Sequence, residues 1–427
     1  MKHLSRIRFV VVKSVEPTIM LPFISVQSVL VLTTAALFLS RVSTAFPVVG
    51  PFPGSMDGFK DATPSLSAGG EAICITGIVT VNASTSTNQK LNYEDGAGQL
   101  ALTEAIAELL SANSSLPAQI YGGDAFVSGA FGISTKLCYP VGWSAKKSSK
   151  TVQFLVHGIG FDKSYWDFAK GYSYIDVAAA AGYPTFSYDR LGTGASDHPD
   201  PIRVVQSSIQ LEIAHALIQS LRDGSFGGHR FDNVVGVGHS YGSIQSVGVT
   251  AKYPKDLDAV VLTGFSTSTG GFGVIFADFN LAIANENQPL RFGDLPNGYL
   301  VTGSSISNQF AFFRYPHFDP KILALDEATK QTLTIGEAFT LTSPIMPAQG
   351  FTGPVDVVLG EYDMSFCQAN CYVPGDQSLM VQPALYPAAS NGSQAYIVRG
   401  VGHAINLHFE ANNAFVHIQN FIKTNGF

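Results

Sequence analysis

Residues 235–242 read Val-Gly-Val-Gly-His-Ser-Tyr-Gly. This stretch carries the G-x-S-x-G pentapeptide Gly238-His239-Ser240-Tyr241-Gly242. Apolar Val234, Val235 and Val237 lead into it, and a helix-like run, Ile244 to Lys252, follows. A strand that turns sharply into a helix holds the serine oxygen out at the end of a sheet. Glycine at the flanking positions suits so tight a turn. The pentapeptide alone is weak evidence, so the rest of the chain must supply the other parts.

A serine hydroxyl is a poor nucleophile without a base in hydrogen-bond reach. Histidine suits that task near neutral pH, and a buried carboxylate must orient it. In the chain order Ser, acid, His, four histidines follow Ser240: His317, His403, His408 and His417. His403 closes Arg399-Gly400-Val401-Gly402-His403, just past a strand expected at 395–399. It is our candidate base. Asp363 follows the strand expected at 354–359 and is our candidate acid, with Glu361 and Asp356 as rivals. Asp356 sits inside that strand, where its side chain is expected to point the wrong way or into a helix layer. Two backbone N–H groups must then receive the developing oxyanion. Tyr241 is expected to supply one. The loop His157-Gly158-Ile159-Gly160 after the strand at 151–156 supplies the other, from Ile159 first and Gly160 second. His157 is expected to organise that loop.

Strands expected at 184–188 and 259–264, with helices at 175–181 and 203–222, extend the alternation. Such alternation implies parallel β-α-β units covered by helices on both faces. Asp189-Arg190-Leu191-Gly192-Thr193-Gly194 lacks the Lys-Ser/Thr of a phosphate loop and reads as a structural turn, with Asp189 and Arg190 paired to each other. Residues 266–350 are too long for one crossover. They are rich in Phe and read as an insertion capping the site. Earlier in the chain, 46–70 reads as an extended lead-in. A strand is expected at 71–81, a helix at 98–111 and a further strand at 125–142.

The set H-G-I-G, D-R-L-G-T-G, G-H-S-Y-G, G-E-Y-D and G-V-G-H resembles the α/β-hydrolase superfamily, over residues ~125–425. The style of the chain is similar to its secreted fungal esterase- and lipase-like members. The resemblance implies an α/β fold with a mostly parallel eight-stranded sheet, helices on both faces and an inserted cap. The expected organisation is a signal peptide (1–45), an N-terminal extension of open role (46–124), core (125–265), cap (266–350) and core again (351–427). Epoxide hydrolases and haloalkane dehalogenases of this superfamily carry Asp at the elbow, so Ser240 argues against both.

The bulk numbers are those of an ordinary, slightly oily globular chain, long enough for a large core. The chain has 427 residues, 46% apolar and 13% charged, with a formal net charge of −7. That acidic balance argues against a nucleic-acid partner. Lys2, Arg6, Arg8 and Lys13 precede an apolar run from Val29 to Leu39, and Ser43-Thr44-Ala45 offers a cleavage site. This reads as a secretory signal, with an uncleaved anchor as the alternative. Once cleaved, no stable membrane insertion is expected. Four cysteines, Cys74, Cys138, Cys367 and Cys371, allow three pairings. We favour Cys74–Cys138 and Cys367–Cys371. Asn82, Asn113 and Asn391 open N-x-S/T sequons. No metal and no cofactor is expected. The leading expectation is a secreted serine hydrolase acting on a small-molecule carboxylic ester, with a hydrophobic ester or a lactone as the substrate class. An acyltransferase or cyclase would use the same triad, and a non-catalytic binding protein would keep only the scaffold.

Overall fold

The computed structural model describes residues 52–94, 98–145 and 150–427. The expected signal peptide lies outside the described residues. Two strands open the described chain, β1 (Lys60–Leu66) and β2 (Ala72–Leu91). Two short-range helices follow, α1 (Gly98–Leu110) and α2 (Leu116–Ile120), then β3 (Tyr121–Pro140). β2 and β3 are long antiparallel partners, from Ala72 opposite Pro140 to Leu91 opposite Tyr121. Much of β2 alternates buried and exposed residues, the pattern of a sheet with one covered face. Cys74 lies opposite Cys138 in this register, and the two form a disulfide.

The parallel part comprises β4 (Thr151–Val156), α3 (Tyr174–Ala180), β5 (Thr185–Tyr188), α4 (Ser207–Asp223), β6 (Asn233–His239), α5 (Tyr241–Lys252) and β7 (Ala259–Thr263). β4, β6 and β7 are buried along nearly their whole length, as strands covered on both faces must be. Between β7 and the next core strand the chain leaves the sheet. It forms α6 (Phe272–Asp278), β8 (Ala282–Ile283), α7 (Ala284–Asn287), α8 (Pro289–Phe292), β9 (Tyr299–Val301), α9 (Ser305–Phe312), α10 (Pro320–Thr329), β10 (Leu333–Thr334) and α11 (Ile335–Thr340). β8, β9 and β10 make a small sheet of their own. The core resumes with β11 (Val355–Gly360), α12 (Met364–Cys367), α13 (Val381–Leu385), β12 (Gln394–Val398) and α14 (Ala411–Thr424).

Among the described residues the main sheet has nine strands, in the order β1-β2-β3-β5-β4-β6-β7-β11-β12. From β5 to β12 all neighbours are parallel, whereas β1, β2 and β3 are antiparallel. The sheet is therefore mostly parallel, as expected, but it has nine strands rather than eight. The extra strand is β1, which pairs along β2 inside the stretch expected to be a plain lead-in. The boundary expected at 124/125 falls inside β3, because the pairing of β2 with β3 draws residues 72–91 into the core sheet.

Helices cover both faces. α3 packs with α14, and α4 with α5. A buried polar bridge ties the first pair to the sheet: Tyr174 OH donates to Gln153 Oε1 at 2.6 Å, and Gln153 Nε2 donates to Gln419 at 2.6 Å. Among the described residues no helix is long and apolar enough to cross a membrane.

Candidate active site

Ser240 is the first residue past β6 and stands directly before α5. Its φ of 54° lies in the left-handed region, which a serine rarely adopts. The strain is held by neighbours. Ser240 N–H donates to Thr263 O at 2.9 Å, and Ser240 O accepts from Ile244 N–H at 3.1 Å. The flanking glycines are needed for closeness, not for a positive φ. A Cβ on Gly242 would stand 2.0 Å from Val156 O, and one on Gly238 would stand 2.5 Å from Gly242 O. The elbow thus presses its backbone against β4.

Three residues from three strand ends meet here. His403 Nε2 lies 2.8 Å from Ser240 Oγ, and His403 Nδ1 lies 2.6 Å from Asp363 Oδ2. Asp363 and His403 are both buried. The second oxygen of Asp363, Oδ1, accepts from Phe366 N–H at 2.9 Å and caps α12. One carboxylate thus holds both the imidazole and the turn that carries it. With Nδ1–H donated to Asp363, Nε2 keeps the lone pair that faces the serine hydroxyl.

The rivals lie elsewhere. Asp356 is buried in β11 and faces His417 of α14, at 3.1 Å. Glu361 accepts from Gly400 N–H at 2.8 Å and braces the loop before His403. His408 braces the same loop. Its Nε2 accepts from Gly402 N–H at 3.1 Å and from Arg314 N–H at 3.0 Å, while Nδ1–H donates to Ala404 O at 2.9 Å. Burial lowers its pKa to about 4, so the ring is neutral. His317 lies against Gly400, not against Ser240.

Ile159 and Tyr241 line the same cavity as Ser240 and His403. Tyr241 opens α5, where backbone N–H groups have no partner in the helix. Gly158 leaves little room for a side chain: a Cβ there would lie 3.0 Å from Ser240 Cβ. Gly160 adopts a φ of 80°, and its carbonyl accepts from Gln331 N–H at 2.9 Å. His157 organises this loop. Its Nδ1–H donates to Gly158 O at 2.8 Å and its Nε2 accepts from Arg190 N–H at 3.0 Å. Burial and the nearby Arg190 charge hold its pKa well below the histidine norm.

Two features were not legible in the motifs. The expected Asp189–Arg190 pair does not form. Asp189 pairs with Lys163 at 2.7 Å, and Arg190 pairs with the buried Glu337 of α11. Consecutive residues on an extended strand end point to opposite sides, so each finds its own partner. His239 is fully buried under the Tyr165 ring, with ring centres 4.4 Å apart. Burial, with His403 and His157 nearby, holds its pKa well below the usual value, which keeps a second cation away from His403. The Phe-rich inserted segment, as its composition suggested, walls the site with aromatic side chains. Phe272, Phe276 and Phe279 of the α6 region and Phe312 of α9 line the cavity beside Ser240.

Both favoured disulfides are present, Cys74–Cys138 and Cys367–Cys371. The second closes a small loop directly after Asp363. The three sequon residues Asn82, Asn113 and Asn391 are all exposed.

The alpha/beta hydrolase family model matches residues 153–417. The chain belongs to the alpha/beta hydrolase family. No curated protein matches it. Among solved structures it is similar to a thermophilic esterase from Thermogutta terrifontis, with 13% identity over 70% of this chain and 96% of that one, at a TM-score of 0.48. It is similar to a monoacylglycerol lipase from Paleococcus ferrophilus, with 13% identity over 65% and 96%, at 0.46. The enol-lactonase from Burkholderia xenovorans matches with 15% identity over 69% and 97%, at 0.47.

Proposed function

We propose that this alpha/beta hydrolase family chain is a secreted serine hydrolase that cleaves hydrophobic carboxylic esters through an acyl-enzyme. The observation that carries the reading is the unbroken relay from Asp363 through His403 to a strained, outward Ser240 hydroxyl, at 2.6 and 2.8 Å. In this reading Ser240 Oγ attacks the ester carbonyl while His403 Nε2 takes its proton. Asp363 holds the tautomer and balances the imidazolium. The carbonyl oxygen becomes an oxyanion and draws on the N–H groups of Tyr241 and Ile159, with Gly160 the second choice in that loop. His403 then gives the proton to the leaving alcohol. Water, activated by the same histidine, releases the acid and restores the serine.

The apolar wall of Phe272, Ile275, Phe276, Phe279 and Phe312 supports a hydrophobic substrate, since it offers no partner to a charged one. The basic and apolar leader, the two disulfides and the exposed sequons support export. The test is fluorophosphonate labelling of the purified protein beside Ser240→Ala and His403→Ala. Labelling of the wild type alone is expected. No labelling of the wild type would refute the reading and favour a binding protein on this scaffold.

A further inference from the structure

The loop that carries the second oxyanion donor has glycine on both sides of Ile159, at Gly158 and Gly160. Glycine leaves a backbone free to turn, so the aim of the Ile159 and Gly160 N–H groups must come from outside the loop. A peptide group is planar and trans, so a carbonyl held in place also fixes the N–H that follows it. Gly158 O shares its peptide group with the Ile159 N–H. It accepts from His157 Nδ1–H at 2.8 Å and from Arg190 NH2 at 3.4 Å. Both holders follow strands of the core, β4 and β5.

The other side of Ile159 is held by the inserted segment. Gln331, between α10 and β10, is buried and grips the loop twice. Its backbone N–H donates to Gly160 O at 2.9 Å. Its Nε2 donates to Asp162 Oδ2 at 2.9 Å, while Asp162 Oδ1 accepts from Ser164 N–H at 2.8 Å. Both chain neighbours anchor Gln331. Lys330 Nζ donates to Thr302 O at 2.7 Å and pairs with Glu327 at 2.7 Å, and Thr332 Oγ1 donates to Gly192 O at 2.7 Å. Further along the same stretch, Glu337 holds Arg190. The N–H groups of Ile159 and Gly160 thus lie between one clamp from the core and one from the inserted segment.

We propose that the inserted segment holds the second oxyanion donor in place, with Gln331 as the positioning residue. The proposal rests on the serine esterase reading. Gln331 acts through Gly160 and Asp162 and touches no reacting atom. Its effect falls on the transition state, where the carbonyl oxygen gains charge and needs the N–H groups at full strength. The bound ester makes a weaker demand on them. A loosened loop therefore slows acyl transfer and leaves ester binding almost unchanged.

The test compares Gln331→Met, which keeps the bulk and removes the side-chain donor, with Gln331→Lys, which keeps a donor for Asp162. The backbone N–H to Gly160 O remains in both. Rates on p-nitrophenyl butyrate are taken per serine titrated with a fluorophosphonate, so misfolded protein does not count. Affinity for an alkyl trifluoromethyl ketone is measured beside them. Ser240 Oγ adds to its carbonyl carbon, the serine proton passes to His403, and an oxyanion forms with no leaving group. Outright loss of an oxyanion donor costs about 10²–10³ in kcat, so a donor that is only loosened should cost about tenfold. Gln331→Met is therefore expected to lower kcat about tenfold with KM nearly unchanged, and to weaken the ketone by a similar factor. Gln331→Lys should recover both. A wild-type kcat in Gln331→Met would overturn the proposal. So would a lowered kcat with ketone affinity intact, a change in KM alone, or no recovery in Gln331→Lys. A wild type that neither hydrolyses the ester nor binds the ketone would refute the esterase reading itself, and the proposal with it.

Discussion

The guanidinium of Arg190 lies 4.5 Å from the centre of the Tyr241 ring, at the residue that follows the elbow serine. Its NH1 donates to Gln210 of α4 at 3.0 Å and to Glu337 of α11. Its backbone N–H holds His157. One fully buried arginine therefore joins the elbow, the loop carrying Ile159 and the inserted segment. Tyr241 OH in turn lies 2.7 Å from Ser207 Oγ, which donates to Thr340 O at the end of α11.

Arg190→Ala leaves the Glu337 carboxylate buried with no cation. Breaking one side of a buried pair costs about 3–5 kcal/mol. Urea unfolding should show that loss, and the double change Arg190→Met with Glu337→Met should recover most of it. If the double variant is no more stable than Arg190→Ala, the pair is not the source of the cost.

Asp363→Asn should lower kcat by about four orders of magnitude on a p-nitrophenyl ester, because the amide favours the wrong imidazole tautomer. Asp356→Asn should leave kcat unchanged, since its partner is His417 on the far side of β11. Equal losses in the two variants would remove Asp363 from the relay. The pair of measurements separates a catalytic carboxylate from a structural one in the same stretch of chain.

How much of this was legible in the sequence follows from how local each cause is. The elbow is a local device, and Gly238, Ser240 and Gly242 announce it within five residues. Asp363 and His403 stand just past strand ends, and strands of a parallel sheet point their carboxyl ends the same way, so chain position alone brings them near Ser240. The strand position of Asp356 already turns it toward a helix layer. Arg190 offered no such clue. Its partner Glu337 is held by the Thr334 capping box in the inserted segment, and no periodicity connects the two. The membership of β1 and β2 in the main sheet was hidden likewise. Antiparallel pairing of β2 with β3 depends on partners across the long excursion through α1 and α2. The docking of α1 rests on Gln99, one polar residue among many.

His408 should make the fold sensitive to mild acid. Burial lowers its pKa to about 4 in the folded chain, against about 6.5 when unfolded. Between these values the unfolded chain binds a proton that the folded chain refuses. Stability is therefore full above about pH 6.5, falls as pH drops, and levels off below about 4, a loss of about 3 kcal/mol from this group. His157 and His239 shift in the same direction and add to it. His408→Gln keeps a donor for Ala404 O and an acceptor for Gly402 N–H without a titrating ring. Urea unfolding between pH 7 and 5 should fall more steeply for the wild type than for this variant. Parallel curves would place the acid sensitivity elsewhere.

The two disulfides should separate by what they protect. Cys74–Cys138 closes a loop with a sequence separation of 64 across β2 and β3, remote from the relay. Loop-closure entropy puts its contribution at about 4 kcal/mol. Cys367–Cys371 spans a separation of 4, where the same reasoning gives about 2 kcal/mol. Yet that short loop is hydrogen-bonded to the backbone of Asp363. Ala369 N–H donates to Asp363 O at 2.9 Å, and Cys371 N–H donates to Glu361 O at 3.1 Å. Replacing Cys74 and Cys138 by Ala should lower unfolding stability with kcat intact. Replacing Cys367 and Cys371 should cost less stability but lower kcat, with little change in KM, because Asp363 loses its fixed aim at His403. A kcat that survives the second replacement would show that the α12 cap, Phe366 N–H to Asp363 Oδ1, suffices to hold the acid in place.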